Sequence, residues 1–148
     1  MQTYTADTIT TDCKNNFKII HATIWGVNYL YDLYKESYSP WEWHKELYQA
    51  ANEEGLICFS SPFDKTAVDL LEKLNVPAYK IASPEITDIP LTENVVSKGK
   101  PVIISTGIAG LEDIGLALDA RQAWGMSKLY YENALQVIGL LLKKPISP

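Results

Sequence analysis

The chain has 148 residues, of which 47% are hydrophobic and 21% charged, and its 13 basic and 18 acidic side chains give a net charge of -5. This composition suits one packed domain and argues against a disordered chain. The acidic balance gives no electrostatic footprint for nucleic acid or an anionic membrane surface, and no apolar stretch approaches the roughly 20 residues that span a bilayer. We therefore expect neither nucleic acid nor a membrane as a partner.

The first predicted element is a helix over residues 41 to about 54. Ser39, followed by Pro40 and Glu42, has the pattern of a capping box with proline at the first helical position, and Gly55 supplies the stop. His44 lies on this helix, and we interpret it as a packed or capping histidine rather than a catalytic one.

Three short apolar runs, spaced by just over twenty residues, predict strands. The runs are residues 56–59, 78–81 and 101–104. An amphipathic segment follows each run, and Asp64, Asp88 and Gly110 mark where these helices are expected to begin. Strands and helices that alternate at this period predict an α/β fold with parallel strands, either a barrel or a doubly wound sheet.

Small hydroxyl residues follow each predicted strand, at the edge where α/β folds place their chemistry. They are Ser60, Ser61, Ser83, Ser105 and Thr106. Lys80 adds a cation inside the second strand, where burial is costly unless an anion or a carboxylate is present. This pattern predicts a cradle for a phosphate or a carboxylate. Ordinary helix caps, and an ion pair between Lys80 and Glu85, are the alternative interpretation.

Six segments, in order, resemble consecutive signatures of the sialic acid synthase family over roughly residues 2 to 123. They are residues 2–10 (QTYTADTIT), 30–34 (LYDLY), 40–44 (PWEWH), 59–63 (FSSPF), 79–83 (YKIAS) and 104–107 (ISTG). The LYDLY and EWH segments are more similar to the pseudaminic acid synthase branch than to the N-acetylneuraminate branch.

The resemblance implies a partial TIM barrel for residues 1–123, with about strands 2 to 5 and their helices. Such enzymes condense phosphoenolpyruvate with an open-chain amino sugar and release phosphate. For this branch the sugar is a diacetamido-trideoxy hexose and the product a nonulosonic acid. An N-acetylneuraminate synthase, or a non-catalytic half-barrel that binds another fragment, is the alternative.

The resemblance also implies site residues. Family positions that hold phosphoenolpyruvate fall on four residues, namely Lys80, Ser83, Ser105 and Ser61. Glu85 falls on a carboxylate near the reacting carbons and is the catalytic candidate, and Gln2 falls near the sugar at the end of the second barrel strand.

The family uses a divalent metal, Mn²⁺ or Mg²⁺, whose histidine ligands lie on later strands. His21 and His44 do not replace them, and Cys13 and Cys58 are too isolated for a metal cluster or a disulfide framework. We therefore expect no metal ligand in this chain, no activity from these 148 residues alone, self-association (the family is homodimeric) and a cytoplasmic location.

Residues 124–148 do not resemble the family in their own reading frame. Back-translated in a shifted frame, they permit a Gly-Asn-Glu-Gln segment and then Cys-Thr-Ser, which is similar to the family's sixth strand. We hypothesise a frameshift near Ala123, which the encoding DNA would decide. The alternative is a divergent tail in which residues 130–142 form a short apolar helix or strand.

Overall fold

Helices separate five strands in the computed structural model, which describes residues 1–13, 29–123 and 129–132. The strands are β1 (Gln2–Thr3), β2 (Ser61–Pro62), β3 (Tyr79–Ile81), β4 (Val102–Ser105) and β5 (Leu129–Glu132). The helices are α1 (Ala6–Ile9), α2 (Leu30–Ser37), α3 (His44–Glu53), α4 (Lys65–Lys73), α5 (Ile89–Val96) and α6 (Leu111–Ala123). Short 3-10 turns lie at Trp41–Trp43 and Ser83–Thr87.

Every strand pair in the described part of the chain is parallel, as predicted. β1 pairs with β2, and β3 pairs with β4, which pairs with β5. One parallel bridge, between Ser60 and Tyr79, joins the two groups. The spatial order of these strands is therefore their chain order. A doubly wound sheet reverses its order at a switch point, whereas a barrel does not, so the observed order favours a barrel.

The two faces of β3 and β4 differ in burial. Tyr79 and Ile81 alternate with the half-buried Lys80, whose register partner is Ile103. The buried face packs against α4 and α5 in one apolar core. The core consists of Val68, Leu71, Val76, Tyr79, Ile81, Ile86, Leu91, Val95, Val102, Ile104 and Ala117. Successive residues of a strand point to opposite faces, so Lys80 projects away from the helices.

Two of the three predicted strands are found within one residue of their expected bounds, as β3 and β4. The strand predicted at residues 56–59 is wrong, because Leu56 and Ile57 are 65% and 81% exposed and the ladder lies at Ser61–Pro62. Its partner β1 fixes that register: the Ser61 amide donates to the Met1 carbonyl at 3.0 Å. Hydrogen-bond pairing, not apolar content, determines where β2 lies.

The aspartate caps are confirmed, whereas the capping box is not. Asp64 accepts from the Ala67 amide at 2.7 Å, and Asp88 accepts from the Leu91 amide at 2.9 Å. The helix predicted from residue 41 instead begins as the 3-10 turn, with Pro40 at the cap and no side-chain cap hydrogen bond. Pro40 has ψ of 134°, which is extended, so it precedes the turn rather than beginning it.

Part of the predicted tail is a strand, because β5 pairs with β4 along four residues. Residues 124–128 and 133–148 lie outside the described residues, as do His21 and the rest of residues 14–28. The domain boundary after residue 123 and the frameshift therefore stay predictions.

A hydrogen-bonded ion pair supports the start of β3. The Tyr79 hydroxyl donates to Glu72 Oε1 at 2.5 Å, and Lys100 Nζ lies 2.8 Å from the same oxygen. Burial favours a higher pKa for Glu72, but the hydrogen bonds from Lys100 and Tyr79 and the charges of Lys100 and Lys98 outweigh it and lower that pKa. The stabilisation is therefore present at neutral pH and is lost as the pH falls below the ordinary carboxylate range.

Tyr79→Phe is expected to lower the free energy of unfolding by about 1 to 2 kcal/mol. This is less than a buried hydrogen bond to a charged group contributes, because Glu72 is about a third exposed and solvent screens its charge. Tyr48→Phe is the matched control. The Tyr48 hydroxyl makes no hydrogen bond of ordinary length to a described residue and has only a weaker interaction with Ser60, so its removal lowers stability by less than Tyr79→Phe does. Urea unfolding at pH 7 measures both. Equal losses in the two variants would contradict the assignment.

Candidate functional site

A cavity of about 410 Å³ lies against β1, β2 and β3. Seven residues line it: Met1, Gln2, Tyr4, Ser37, Ser39, Ser61 and Lys80. Three of the predicted site residues, Gln2, Ser61 and Lys80, are thus brought together from positions far apart in the sequence. The cavity is of the size of small-molecule sites in proteins.

Strand register explains why these three side chains meet. Gln2 is paired with Ser61, and the bridge between Ser60 and Tyr79 places Ser61 beside Lys80 on the next strand. Paired residues of parallel strands point to the same face, so Gln2, Ser61 and Lys80 form one row across three strands. We call this the polar row. It places one cation, one hydroxyl and one amide against the same space.

Ser83 and Ser105 lie at the carboxyl ends of β3 and β4 rather than among the lining residues. Ser83 Oγ accepts from the Ile108 amide at 2.9 Å, which ties the turn after β3 to the loop after β4. Ser105 is buried and lies on the same face of β4 as Ile103, the register partner of Lys80. Ser83 Oγ accepts the hydrogen bond from the Ile108 amide, so the proton of the Ser83 hydroxyl is not used in that bond. It remains able to donate to another acceptor.

Glu85 lies in the 3-10 turn after β3 and is partly buried. Burial, and then the charge of Asp88, raise the pKa of its carboxyl group. A raised pKa suits a group that gives and takes a proton near neutral pH.

The sequence did not indicate the polar lining of the cavity that lies outside the polar row, which we call the opposite wall and which consists of Tyr4, Ser37 and Ser39. Tyr4, Ser37 and Ser39 line that wall, and the Tyr4 hydroxyl lies 3.5 Å from Ser37 Oγ. Tyr4 is held by its edge-to-face contacts with Tyr34 and Phe63. The available signal was the pair of serines just before Pro40, in a segment that does not belong to the strand-helix repeat.

The residues that the structure describes do not fit the metal that the family resemblance implies. No group of three or more His, Cys, Asp and Glu side chains in the described ranges could hold a metal ion. Both ring nitrogens of His44 are within hydrogen-bonding distance of protein oxygens, and Cys13 and Cys58 are free thiols. His44 is fully buried, which confirms the expectation of a packed histidine.

The model of the NeuB family matches residues 1–133. The chain belongs to the NeuB family. It is 47% identical over 109 residues to the pseudaminic acid synthase of Helicobacter pylori, covering 74% of this chain and 32% of that protein. It is 36% identical over 112 residues to the N,N'-diacetyllegionaminic acid synthase of Legionella pneumophila, covering 76% and 30%. The predicted resemblance to the sialic acid synthases, and among them to pseudaminic acid synthases, is confirmed.

The fold also matches that of a solved structure. The N-acetylneuraminic acid synthetase of Leptospira borgpetersenii superposes with a TM-score of 0.66 at 24% identity, over 70% of this chain and 36% of that one. The chain spans about a third of the length of the curated relatives it matches. In the parts of this NeuB chain that the structure describes, no helix is both long and apolar enough to cross a membrane.

Proposed function

We propose that this NeuB chain forms the phosphoenolpyruvate-binding part of a pseudaminic acid synthase, in which β1 to β4 are about strands 2 to 5 of a TIM barrel. The observation that carries the proposal is the polar row facing one cavity. Phosphoenolpyruvate has a phosphate and a carboxylate, and both are recognised by a cation together with hydroxyl and amide donors. The identity of 47% to a pseudaminic acid synthase supports this branch of the family.

The proposed roles of Lys80 and Ser61 follow from their positions against the cavity, and those of Ser83, Ser105 and Glu85 follow from the family resemblance. Lys80 neutralises the anion, Ser61 donates from the adjacent strand, and Ser83 and Ser105 donate from the carboxyl edge. In the reaction, the methylene carbon of phosphoenolpyruvate bonds to the sugar aldehyde carbon, whose oxygen takes a proton. Water adds to the carbon that carries the phosphate, and inorganic phosphate leaves. Glu85, with its raised pKa, is the group proposed to transfer the protons.

The opposite wall is proposed to bind the sugar. A diacetamido-trideoxy hexose is neutral and rich in hydroxyl and amide groups, which Ser37, Ser39 and the Gln2 amide can hydrogen-bond. The wall of Tyr4, Ser37 and Ser39 carries no charged side chain, whereas the polar row carries Lys80. The cavity therefore has one half suited to an anion and one half suited to a neutral sugar.

The proposal also covers the activity, the location and the partners of the chain. Because the described residues do not fit a metal site, we expect the 148-residue polypeptide to bind phosphoenolpyruvate without completing the condensation. A cytoplasmic location and self-association of the chain, with no nucleic acid or membrane partner, are part of the same proposal.

Isothermal titration of the purified chain tests this function. We expect phosphoenolpyruvate to bind at least about tenfold more tightly than either pyruvate, which lacks the phosphate, or glycerol 3-phosphate, which lacks the carboxylate. Equal affinity for all three anions would contradict the assignment, as would no binding. Release of phosphate on addition of the sugar and Mn²⁺ would contradict the expected lack of activity but not the proposed binding of phosphoenolpyruvate.

A further inference from the structure

We propose that His44 is a positioning residue that holds the two walls of the cavity in register. The inference rests on the proposed function, because it concerns the same cavity. His44, Thr3 and Ser60 are fully buried polar residues that do not line the cavity. They come from α3, from β1 and from the position just before β2.

Hydrogen bonds connect these three side chains in a chain of defined direction. His44 Nδ1 lies 3.2 Å from the Pro40 carbonyl oxygen, which can only accept, so Nδ1 carries the ring proton. With that proton on Nδ1, Nε2 accepts from the Thr3 hydroxyl at 3.0 Å. Thr3 Oγ1 in turn accepts from the Ser60 hydroxyl at 2.7 Å. Every polar atom of the imidazole is thus satisfied inside the protein.

Thr3 and Ser60, and the Pro40 carbonyl that His44 contacts, are each adjacent in sequence to a residue of the cavity lining. Thr3 lies between Gln2 and Tyr4, and Ser60 precedes Ser61. The Ser60 carbonyl also accepts from the Lys80 amide at 3.1 Å, which places β3 relative to β2. On the other side, Pro40 follows Ser39 of the opposite wall. His44 therefore links the strands of the polar row to the segment that carries the serines.

The backbone alone provides little of this positioning. β1 and β2 are two residues long, and a single bridge joins them to β3. Short ladders of this kind leave the relative position of the strands to side-chain contacts. Ligand binding and catalysis tolerate displacements of well under about 1 Å, so a buried hydrogen-bonded link can set affinity from outside the cavity.

Two substitutions of His44 separate its two hydrogen bonds. His44→Gln places an acceptor near Nε2 and keeps the bond from Thr3, whereas His44→Asn places a donor near Nδ1 and keeps the bond to Pro40. Both substitutions leave a void of similar size in the protein interior at the place of the imidazole ring, and both are expected to lower the melting temperature. The bond to Thr3 connects α3 to the strands, whereas Pro40 stays joined to the turn that begins α3 in either variant, because its carbonyl also accepts from the Trp43 amide at 3.1 Å. We therefore expect His44→Asn to weaken phosphoenolpyruvate binding at least about tenfold, and His44→Gln to stay within about threefold of the parent chain.

Backbone amide signals in ¹⁵N NMR spectra give a readout that does not depend on any ligand. We expect His44→Asn to shift the amide signals of Gln2, Ser61 and Lys80, and His44→Gln to leave them in place. Thr3→Val removes the same hydrogen bond from the other side, because it deletes the hydroxyl while keeping the shape of the side chain. If His44→Asn folds poorly, Thr3→Val serves in its place and should shift the same amide signals.

The outcomes distinguish this inference from the proposed function. If the parent chain binds no phosphoenolpyruvate, the proposed function fails, and the amide signals still decide the role of His44. If the amide signals of the polar row are unchanged in both His44→Asn and Thr3→Val, or if His44→Gln shifts them as strongly as His44→Asn, the positioning role is wrong and His44 only fills the core.

Discussion

Lys80→Met is expected to weaken phosphoenolpyruvate binding about tenfold to a hundredfold, while the free energy of unfolding stays within about 1 kcal/mol of the parent value. A hydrogen bond to a charged group contributes about 1.5 to 3 kcal/mol, which converts to that range of affinity. Methionine retains the apolar stem of lysine, and the Lys80 backbone amide keeps its bond to Ser60. Titration calorimetry and urea unfolding measure the two quantities.

Lys73→Met is the matched control for this prediction. Lys73 is exposed in the last turn of α4, on the helical layer of the protein, and its loss changes the net charge by the same amount. Affinity should therefore be unchanged in this variant. An equal loss of affinity in both variants would mean that the anion responds to total charge and not to the polar row.

Ile81→Ala is expected to lower the free energy of unfolding by about 2 to 5 kcal/mol. Ile81 follows Lys80 directly in β3, but its side chain is fully buried against the helices, and its truncation leaves a cavity in the core. Since small domains are stable by only about 5 to 15 kcal/mol, such a loss is a large share of the total. Chemical unfolding at neutral pH measures it.

Ile57→Ala makes the same chemical change at a residue that is 81% exposed, so its effect should stay within about 0.5 kcal/mol. Comparable losses in the two isoleucine variants would show that burial in the apolar core does not determine the stability of the chain.

The sequence predicts β3 and β4 well because most apolar residues of these two runs are buried in the core, unlike the exposed Leu56 and Ile57 of the first run. β2 was misplaced because Ser61 and Pro62 have no apolar signature, and their pairing depends on β1, nearly sixty residues away along the chain. The local sequence pattern indicates which residues tend to form a strand. It does not indicate which distant strand their backbone amides and carbonyls will pair with.

The candidate site shows the same division. Lys80 and Ser61 could be predicted because the carboxyl ends of parallel strands meet at one edge of a sheet. Ser37 and Ser39 could not, since they come from a segment outside the repeat. The burial of His44 was predicted, but its bond to Thr3 joins residues 41 positions apart and has no sequence signature.

The single bridge between Ser60 and Tyr79 has a mechanical consequence for any ligand of the polar row. β1 and β2 form one sheet and β3 to β5 another, so Ser61 and Lys80 stand on opposite sides of the join. A dianion bound by both residues would connect the two sheets. Its binding would then slow the exchange of the Lys80 amide hydrogen with solvent, because this amide lies where a single backbone bridge joins the sheets.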